Sequence, residues 1–352
     1  MIKSTCRRIK KIGSLGGDML FPINQRHLVL YFALFLALPA DAFETDIYGS
    51  LRLQAEYVEP DNEPGNFDDY AALRDAYTRV GLKVSHSFTP DWLALFQIEL
   101  PIDLVNKKLR HSWGQDEDIR IFNLKVSGPL GSLSYGRDWT AFYNKIAYPV
   151  DYFPSFYSGF TSFTSFRLDD TLAYTSPSFN GIQFSASTSK DNGTRDGNRE
   201  QYTVSYTNNI LTLAAGIDAL GGDDNVKILG LAASFNKGPW YLAATYEQFD
   251  SDISGHGWAA DGTDAINAFA QYTIGNDELR ILLANVDNYG EFVFHAGWEL
   301  HYNDNTSLFV EYYQEQETAV ISDAKQTTSS ARNFDPADSG GRSLLIGIRY
   351  DF

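Results

Sequence analysis

The chain has 352 residues, with 28 Lys+Arg against 45 Asp+Glu, and therefore a formal charge of −17. Such an acidic chain is unsuited to nucleic acid, because phosphate binding needs a surplus of Lys and Arg. With Cys6 as the single cysteine, no disulfide and no cysteine-based metal site can form, and we expect no cofactor. Aromatic residues make up 14 % of the chain. This composition is typical of β-rich proteins and too hydrophilic for a helical membrane protein.

The N-terminal region differs from the rest. Residues 28 to 38, LVLYFALFLAL, form the only long apolar run, which is too short to span a bilayer as a helix. Small residues follow it in Ala40-Asp41-Ala42, as signal peptidase requires. We predict that residues 1–42 are an N-terminal extension and signal peptide, cleaved after Ala42, and that 43–352 form one exported domain. An uncleaved membrane anchor is the alternative.

Stretches in which apolar and polar residues alternate recur along the exported domain, and this alternation indicates β-strands. We predict sixteen, at 45–58, 73–87, 92–103, 117–127, 131–138, 168–176, 181–189, 199–207, 210–219, 226–236, 239–249, 264–274, 277–286, 291–301, 305–315 and 342–352. Tight turns such as Gly275-Asn276-Asp277 alternate with longer acidic or Gly/Asn-rich loops. Transmembrane barrels have this layout, with short periplasmic turns and long loops at the other end.

The strands are apolar on one face only. In 342–352, Leu344, Ile346 and Ile348 share one face, whereas Arg349 and Asp351 share the other. One such strand fits a soluble sandwich as well as a barrel. The even strand number, the Trp and Tyr residues near strand ends and the terminal aromatic residue favour an all-β fold, a sixteen-stranded antiparallel transmembrane β-barrel. A secreted β-sandwich that binds sugars is the alternative.

The segment between the fifth and sixth predicted strands, residues 139 to 167, is crowded with aromatic residues and has Asp151 as its only acid before the next strand. Because side chains cannot fill so wide a barrel, we expect this third loop to fold inward and narrow the pore; a patch at a subunit contact is the alternative. Some of its rings could stack on sugar faces, which would make the protein a substrate-specific oligosaccharide porin. These rings are Trp139, Tyr143, Tyr152, Phe153 and Tyr157.

Five short motifs occur in order: Tyr48-Gly49-Ser50, Tyr77-Thr78-Arg79-Val80-Gly81-Leu82-Lys83, Ser134-Tyr135-Gly136-Arg137-Asp138, Tyr174-x-Ser176-Pro177-x-Phe179-x-Gly181 and Arg349-Tyr350-Asp351-Phe352. In these motifs the chain resembles the general diffusion porins of Gram-negative outer membranes. The resemblance implies a homotrimer in the cell outer membrane and passive diffusion of ions and small hydrophilic solutes. It also implies insertion by the outer-membrane assembly machinery, with Tyr350 and Phe352 as the assembly signal.

In that family, arginines on the barrel wall face acids on the third loop. The matching wall positions are Arg79, Arg137 and Arg167, and the matching loop acid is Asp151; the family's second acid is replaced by Ser155. By strand parity Arg52 and, less clearly, Arg120 join the basic wall. A positive wall opposite a negative loop would filter solutes by charge and size, although the missing acid should weaken the field. Each arginine could instead be a solvated or ion-paired lumen residue.

The charge of the exported domain bears on ion preference. Removal of residues 1–42 leaves 22 Lys+Arg against 43 Asp+Glu, a formal charge of −21. We therefore predict a preference for cations. Acids in the predicted outer loops, including Asp61, Asp69, Asp223 and Asp250, could bind lipopolysaccharide through divalent cations, or simply be solvated.

Catalysis is not expected from this sequence. An outer-membrane hydrolase would need a nucleophile beside a histidine, but among the histidines of the exported domain only His295 and His301 share a strand and a face. No motif marks a nucleophile, and no third metal ligand follows this pair at a diagnostic spacing. We predict no enzyme activity and no metal site.

Overall fold

A computed structural model describes residues 43–61, 69–112, 119–190, 198–221, 225–252, 260–287, 290–316 and 340–352. The predicted signal peptide lies outside these residues. The strands are β1 (Glu44–Pro60), β2 (Tyr70–Asp75), β3 (Arg79–Thr89), β4 (Trp92–Pro101), β5 (Ile121–Gly128), β6 (Gly131–Trp139), β7 (Arg167–Thr175), β8 (Ile182–Lys190), β9 (Asn198–Thr207), β10 (Leu211–Leu220), β11 (Val226–Lys237), β12 (Trp240–Asp250), β13 (Asp264–Ile274), β14 (Asp277–Val286), β15 (Gly290–Asn303), β16 (Thr306–Glu315) and β17 (Gly341–Asp351).

The strands form one closed antiparallel sheet. From β3 to β17 each strand pairs with the next strand in sequence, and β1 pairs with β17 on one side and with β2 and β3 on the other. Since β2 and β3 both pair with β1, they form one interrupted barrel strand, and the described residues make the predicted sixteen-stranded barrel. Closure through β1 and β17 excludes the β-sandwich, whose sheets have edges.

The interruption between β2 and β3 corrects the prediction of a continuous strand at 73–87. Ala76 is fully buried and Tyr77 has a φ of 70°, a conformation that is uncommon for a residue other than glycine. The hydroxyl of Thr78 accepts the backbone N–H of Arg52 at 2.9 Å and so replaces a bond of the β-ladder. Strand irregularities of this kind re-aim a side chain, and here the redirected side chain is Tyr77, which reaches the third loop.

Apolar side chains point away from the lumen, as the alternation predicts. In β17, Leu344 and Ile346 are 56 % and 59 % exposed, whereas Ser343 on the opposite face is buried. Leu229 and Leu231 of β11 are exposed in the same way. An apolar outer face around a closed barrel is the surface that lipid requires. Among the described residues, no helix is both long enough and apolar enough to cross a membrane.

Inside the barrel lies the third loop, defined here as residues 140–166 between β6 and β7. It contains one helical turn, Tyr143–Ala147, and a 3-10 turn, Tyr148–Val150. Its buried aromatic residues pack against inward-facing residues of the wall in two apolar clusters. The clusters include Phe153, Phe156, Tyr157, Phe269, Phe309 and, in the second, Phe142, Ile146, Ile228 and Phe249.

Candidate pore constriction

The third loop is attached to the wall through its backbone. The N–H of Phe156 donates to Gln54 Oε1 at 2.8 Å, and the N–H of Thr161 donates to Asn267 Oδ1 at 2.8 Å. The N–H of Phe163 donates to Glu247 Oε2, also at 2.8 Å. A buried backbone outside a sheet needs such partners, and here side chains from β1, β12 and β13 supply them. The predicted infolding of the loop is therefore confirmed, with polar wall side chains as its anchors.

Two glycines on the wall make room for the helical turn of the loop. A Cβ at Gly230 of β11 would lie 2.4 Å from the ring of Phe142 and 2.7 Å from Ile146. A Cβ at Gly216 of β10 would lie 3.1 Å from Phe142. Because real side chains do not approach so closely, glycine at 230 permits the close contact between loop and wall.

Most of the rings predicted to stack on sugars are covered by protein. Tyr143 stacks on Trp139 at 4.5 Å between ring centroids, Phe153 on His295 at 3.6 Å, and Tyr157 on Tyr313 at 4.8 Å. Tyr143, Phe153 and Tyr157 are buried, whereas Trp139 and Tyr152 are partly exposed. The most exposed aromatic ring of the loop is Tyr148, at 46 %, which is not among the five rings predicted to stack on sugars.

Opposite the loop, arginines form a band on the inner wall. Arg349 of β17 and Arg52 of β1 are paired in register, and Arg79 begins β3 on the other side of β1. We define the arginine row as the five arginines that line the same cavity as the third loop: Arg349, Arg52, Arg79, Arg120 and Arg167. Four of them were predicted for the constriction. Arg349 was not, although its parity in the last strand had placed it on the polar face.

The row has fewer acids than arginines. Glu99 lies 2.8 Å from Arg120 and 3.7 Å from Arg79, so one carboxylate serves two guanidinium groups. Arg349 pairs with Asp351 at 2.7 Å. Arg52 bonds through Nε to the neutral hydroxyl of Ser50 at 2.8 Å, and no carboxylate of the described chain lies within ion-pair distance of it. The guanidinium of Arg167 lies over the ring of Trp139 at 4.5 Å.

The loop contributes one acid to this site. Asp151 lines the cavity and accepts a hydrogen bond from the hydroxyl of Tyr143 at 2.5 Å. Burial raises the pKa of Asp151, while the bond from Tyr143 and the charges of Arg52, Arg79 and Arg120 oppose the rise. Ser155, in the place of the family's second acid, is buried and its hydroxyl donates to the carbonyl of Tyr157.

Arg137 lies apart from the other predicted arginines. It is absent from the residues that line the cavity, and its Nη1 pairs with the exposed Asp169 at 2.9 Å. The register between β6 and β7 shifts at Gly136/Asp138, and such a shift changes where neighbouring side chains point. Asp138, the next residue, does line the cavity.

His295 and His301, the two histidines that share a strand and a face, have different partners. His295 is buried beneath Phe153 and bonds to Glu311 at 2.8 Å. His301 joins Glu278 and Glu299 in a group whose potential ligand atoms lie within 4.8 Å of one another. The group does not include His295, and sequence spacing did not reveal it because its members come from both β14 and β15. Arg280 already bonds both of its carboxylates and supplies the neutralising charge.

Comparisons with known proteins agree with this architecture. The chain matches the family model of Gram-negative porins over residues 29–331 and belongs to that family. It is therefore a porin of the cell outer membrane, with a transmembrane β-barrel. The family and the fold point to a channel rather than to an enzyme.

Among curated proteins, the chain is similar to a monosaccharide porin of Halomonas sp and to the major outer membrane protein of Halomonas elongata. Each is 24 % identical over 349 residues, covering 89 % of this chain and 93 % of the relative.

Among solved structures, the chain is similar in fold to the anion-selective porin from Comamonas acidovorans, with a TM-score of 0.69 and 19 % identity over 88 % of this chain and all of that one. It is also similar to Salmonella typhi OmpF in complex with daunomycin, with a TM-score of 0.68 and 17 % identity over 90 % of this chain and 99 % of that one.

Proposed function

We propose that the protein is a passive diffusion channel for ions and small hydrophilic solutes, whose narrowest part lies between the third loop and the arginine row. The observation that carries this proposal is the cavity of about 900 Å³ that the loop and the row line together. Its wall is charged on one side and aromatic on the other. Such a passage admits hydrated solutes and limits their size.

A liposome swelling assay tests the channel. Vesicles containing the purified protein should swell in neutral sugars, at rates that fall as the solutes grow from pentoses to oligosaccharides. Vesicles without protein provide the control. Swelling rates equal to that control, from preparations that run as folded barrels, would contradict a diffusion channel.

The cation preference of the whole channel is also a proposal. The charge of −21 on the predicted mature chain supports it, but the constriction works against it, because five arginines line the cavity together with three acids, Glu99, Asp138 and Asp151. We therefore expect a weak preference for cations. A reversal potential in a salt gradient gives its sign, and an anion-selective sign would show that the constriction outweighs the acidic loops.

A sugar-specific channel is the second candidate. The relative named a monosaccharide porin and the partly exposed rings of Trp139 and Tyr152 favour it. Burial of Tyr143, Phe153 and Tyr157 argues against a continuous stacking track of the five predicted rings. Added oligosaccharides should cause concentration-dependent blocking events in single-channel recordings of a specific pore, and none in a general one.

Export and assembly complete the proposal. We infer cleavage after Ala42, just before β1 begins at Glu44, and the mass of the mature protein tests this. Tyr350 and Phe352 are exposed at the end of the closing strand, as a signal for the assembly machinery would be.

We also propose a homotrimer, supported by a similar solved structure, the trimer form of OmpT from Vibrio cholerae. In single-channel recordings, conductance steps that come in threes would support the trimer. Lipopolysaccharide is a proposed partner of the acidic outer loops.

A further inference from the structure

The arginine row contains a positive charge that the described protein leaves unmatched. Arg52 lies between Arg349 and Arg79 on adjacent strands, and its Nε bonds to a neutral serine. Like charges placed side by side across a sheet disfavour one another. A guanidinium that is partly removed from water gains more from an anion than an exposed one does. This part of the wall therefore favours an anion in the lumen.

The free donors of this pair suit a carboxylate. The Nε of Arg52 is engaged with Ser50 and the Nε of Arg349 with Asp351, at 2.8 and 2.7 Å. Within the part of the chain that the structure describes, the terminal Nη groups of both arginines make no hydrogen bond. Guanidinium groups bind planar carboxylates through paired N–H donors, with greater strength than neutral hydrogen bonds provide.

An aromatic face lines the same space. Tyr148, on the third loop, is 46 % exposed and belongs to the lining of the cavity that contains Arg52 and Arg349. Tyr152 flanks Tyr148 at 5.6 Å between ring centroids. These rings offer an apolar face to a solute whose charged end lies on the arginines.

We propose that the constriction binds small sugar acids, with the carboxylate on Arg52 and Arg349 and the flat face of the sugar ring against Tyr148. A neutral sugar can offer the arginines only hydroxyl oxygens, which bind more weakly than a carboxylate, and a small inorganic anion lacks the face that would contact the tyrosine. Asp151 lines the same cavity and carries the charge that repels a carboxylate, whereas Arg52 and Arg349 carry the charge that attracts it. This inference rests on the proposed function, because the site lies inside the pore.

Single-channel recording with the mature protein tests the site. D-glucuronate and D-glucose are compared as blockers at equal ionic strength, since they differ in charge but little in shape. We expect glucuronate to block at a concentration about ten-fold lower than glucose does, as a charge-assisted bond predicts. Equal blocking by the two in channels of ordinary conductance would overturn the site while leaving the channel intact. An absence of conductance would instead count against the proposed function.

Variants separate this site from the net charge of the lumen. Arg52→Gln should raise the half-blocking concentration of glucuronate about ten-fold, and Arg52→Lys, which keeps the charge but loses the planar fork, should fall between. Lys83→Gln removes one positive charge from the inward face of β3, away from the cavity, and should leave blocking unchanged. Equal losses in Arg52→Gln and Lys83→Gln would contradict a defined site.

A last variant tests the aromatic face. Tyr148→Ala should weaken blocking by glucuronate but not by acetate, which has a carboxylate and no ring. If Tyr148→Ala channels bind both acids as the unaltered protein does, the tyrosine has no part in recognition and the proposal for sugar acids fails.

Discussion

The two sides of the barrel interior use inward-facing polar residues in opposite ways. On β12 and β13, Glu247 and Asn267 accept hydrogen bonds from the backbone of the third loop. β1 contains both kinds of residue: Gln54 accepts an N–H of the loop, whereas Arg52, like Arg349 of β17, lines the cavity. The same alternation places all five inside, so the alternation alone does not distinguish an anchor from a pore residue. An anchor differs from a pore residue in its neighbour: the backbone of the third loop contacts the anchor, whereas the pore residue lines the cavity.

The anchored side should be the more sensitive to substitution. Asp218, which is buried, bonds Arg199 at 2.5 Å, Gln201 at 3.0 Å and the hydroxyl of Thr164 at 2.8 Å. Asp218→Ala leaves the guanidinium of Arg199 without its carboxylate, which should cost about 3 to 5 kcal/mol of unfolding free energy. Urea unfolding in detergent micelles measures the loss. Asp169→Ala, at the exposed pair with Arg137, should change stability little, and equal losses in both variants would contradict the comparison.

The contact between loop and wall can be broken from the wall side. Gly230→Val would overlap Phe142 and Ile146, at a cost of about 1 to 3 kcal/mol. The loop should move toward the lumen axis or away from its anchors, and single-channel conductance should change measurably. Gly216→Ala, with its nearest contact at 3.1 Å, should do the same to a smaller extent. Unchanged conductance in Gly230→Val would mean that the helical turn does not define the passage.

Substitutions in the arginine row should change the ion selectivity of the channel rather than the stability of the protein. Arg79→Gln removes a charge from the cavity, and an ion about 10 Å away in water would lose about 0.4 kcal/mol of interaction. The permeability ratio should then shift toward cations by about two-fold. Arg137→Gln is the matched control, because Arg137 lies outside the cavity lining. Reversal potentials distinguish them, and an equal shift in both variants would place Arg137 in the constriction after all.

The smallest expected effect is a change of ion selectivity with pH. Because the pKa of Asp151 is raised by burial, this carboxyl takes up its proton at a higher pH than an ordinary aspartate as the solution is acidified. As this carboxyl takes up its proton its negative charge is lost, so the constriction should become more favourable to anions as the pH falls. Asp151→Asn should lack this part of the change. A variant whose reversal potential follows the same pH curve would exclude Asp151 as its source.

Much of the fold could be predicted because alternation is a local property. The strands, the infolded loop and the inward positions of Arg52 and Arg79 all follow from neighbouring residues in the sequence. The break before Arg79 could not be predicted, since it depends on the hydroxyl of Thr78 bonding to β1. The burial of Phe153 depends on His295, more than a hundred residues away.

The pairing of Arg137 outside the cavity and the place of Arg349 in its lining were not predicted, for different reasons. Arg137 belongs to a motif that resembles the family's, but its direction depends on the shifted register between β6 and β7. Arg349 had the right parity and belonged to a quoted motif, yet no pore role was attached to that motif. The motifs therefore predicted which part of the chain forms each strand more reliably than they predicted where an individual side chain points.

The attachments of the third loop limit how the aperture can vary. The loop bonds side chains of five strands, through Gln54, Gln201, Asp218, Glu247 and Asn267. A lid that opens about a hinge is attached at one end, whereas the third loop is bonded at several points to strands around the barrel. Widening the passage by moving the loop would require several of these bonds to break together, and we therefore expect a channel of constant aperture.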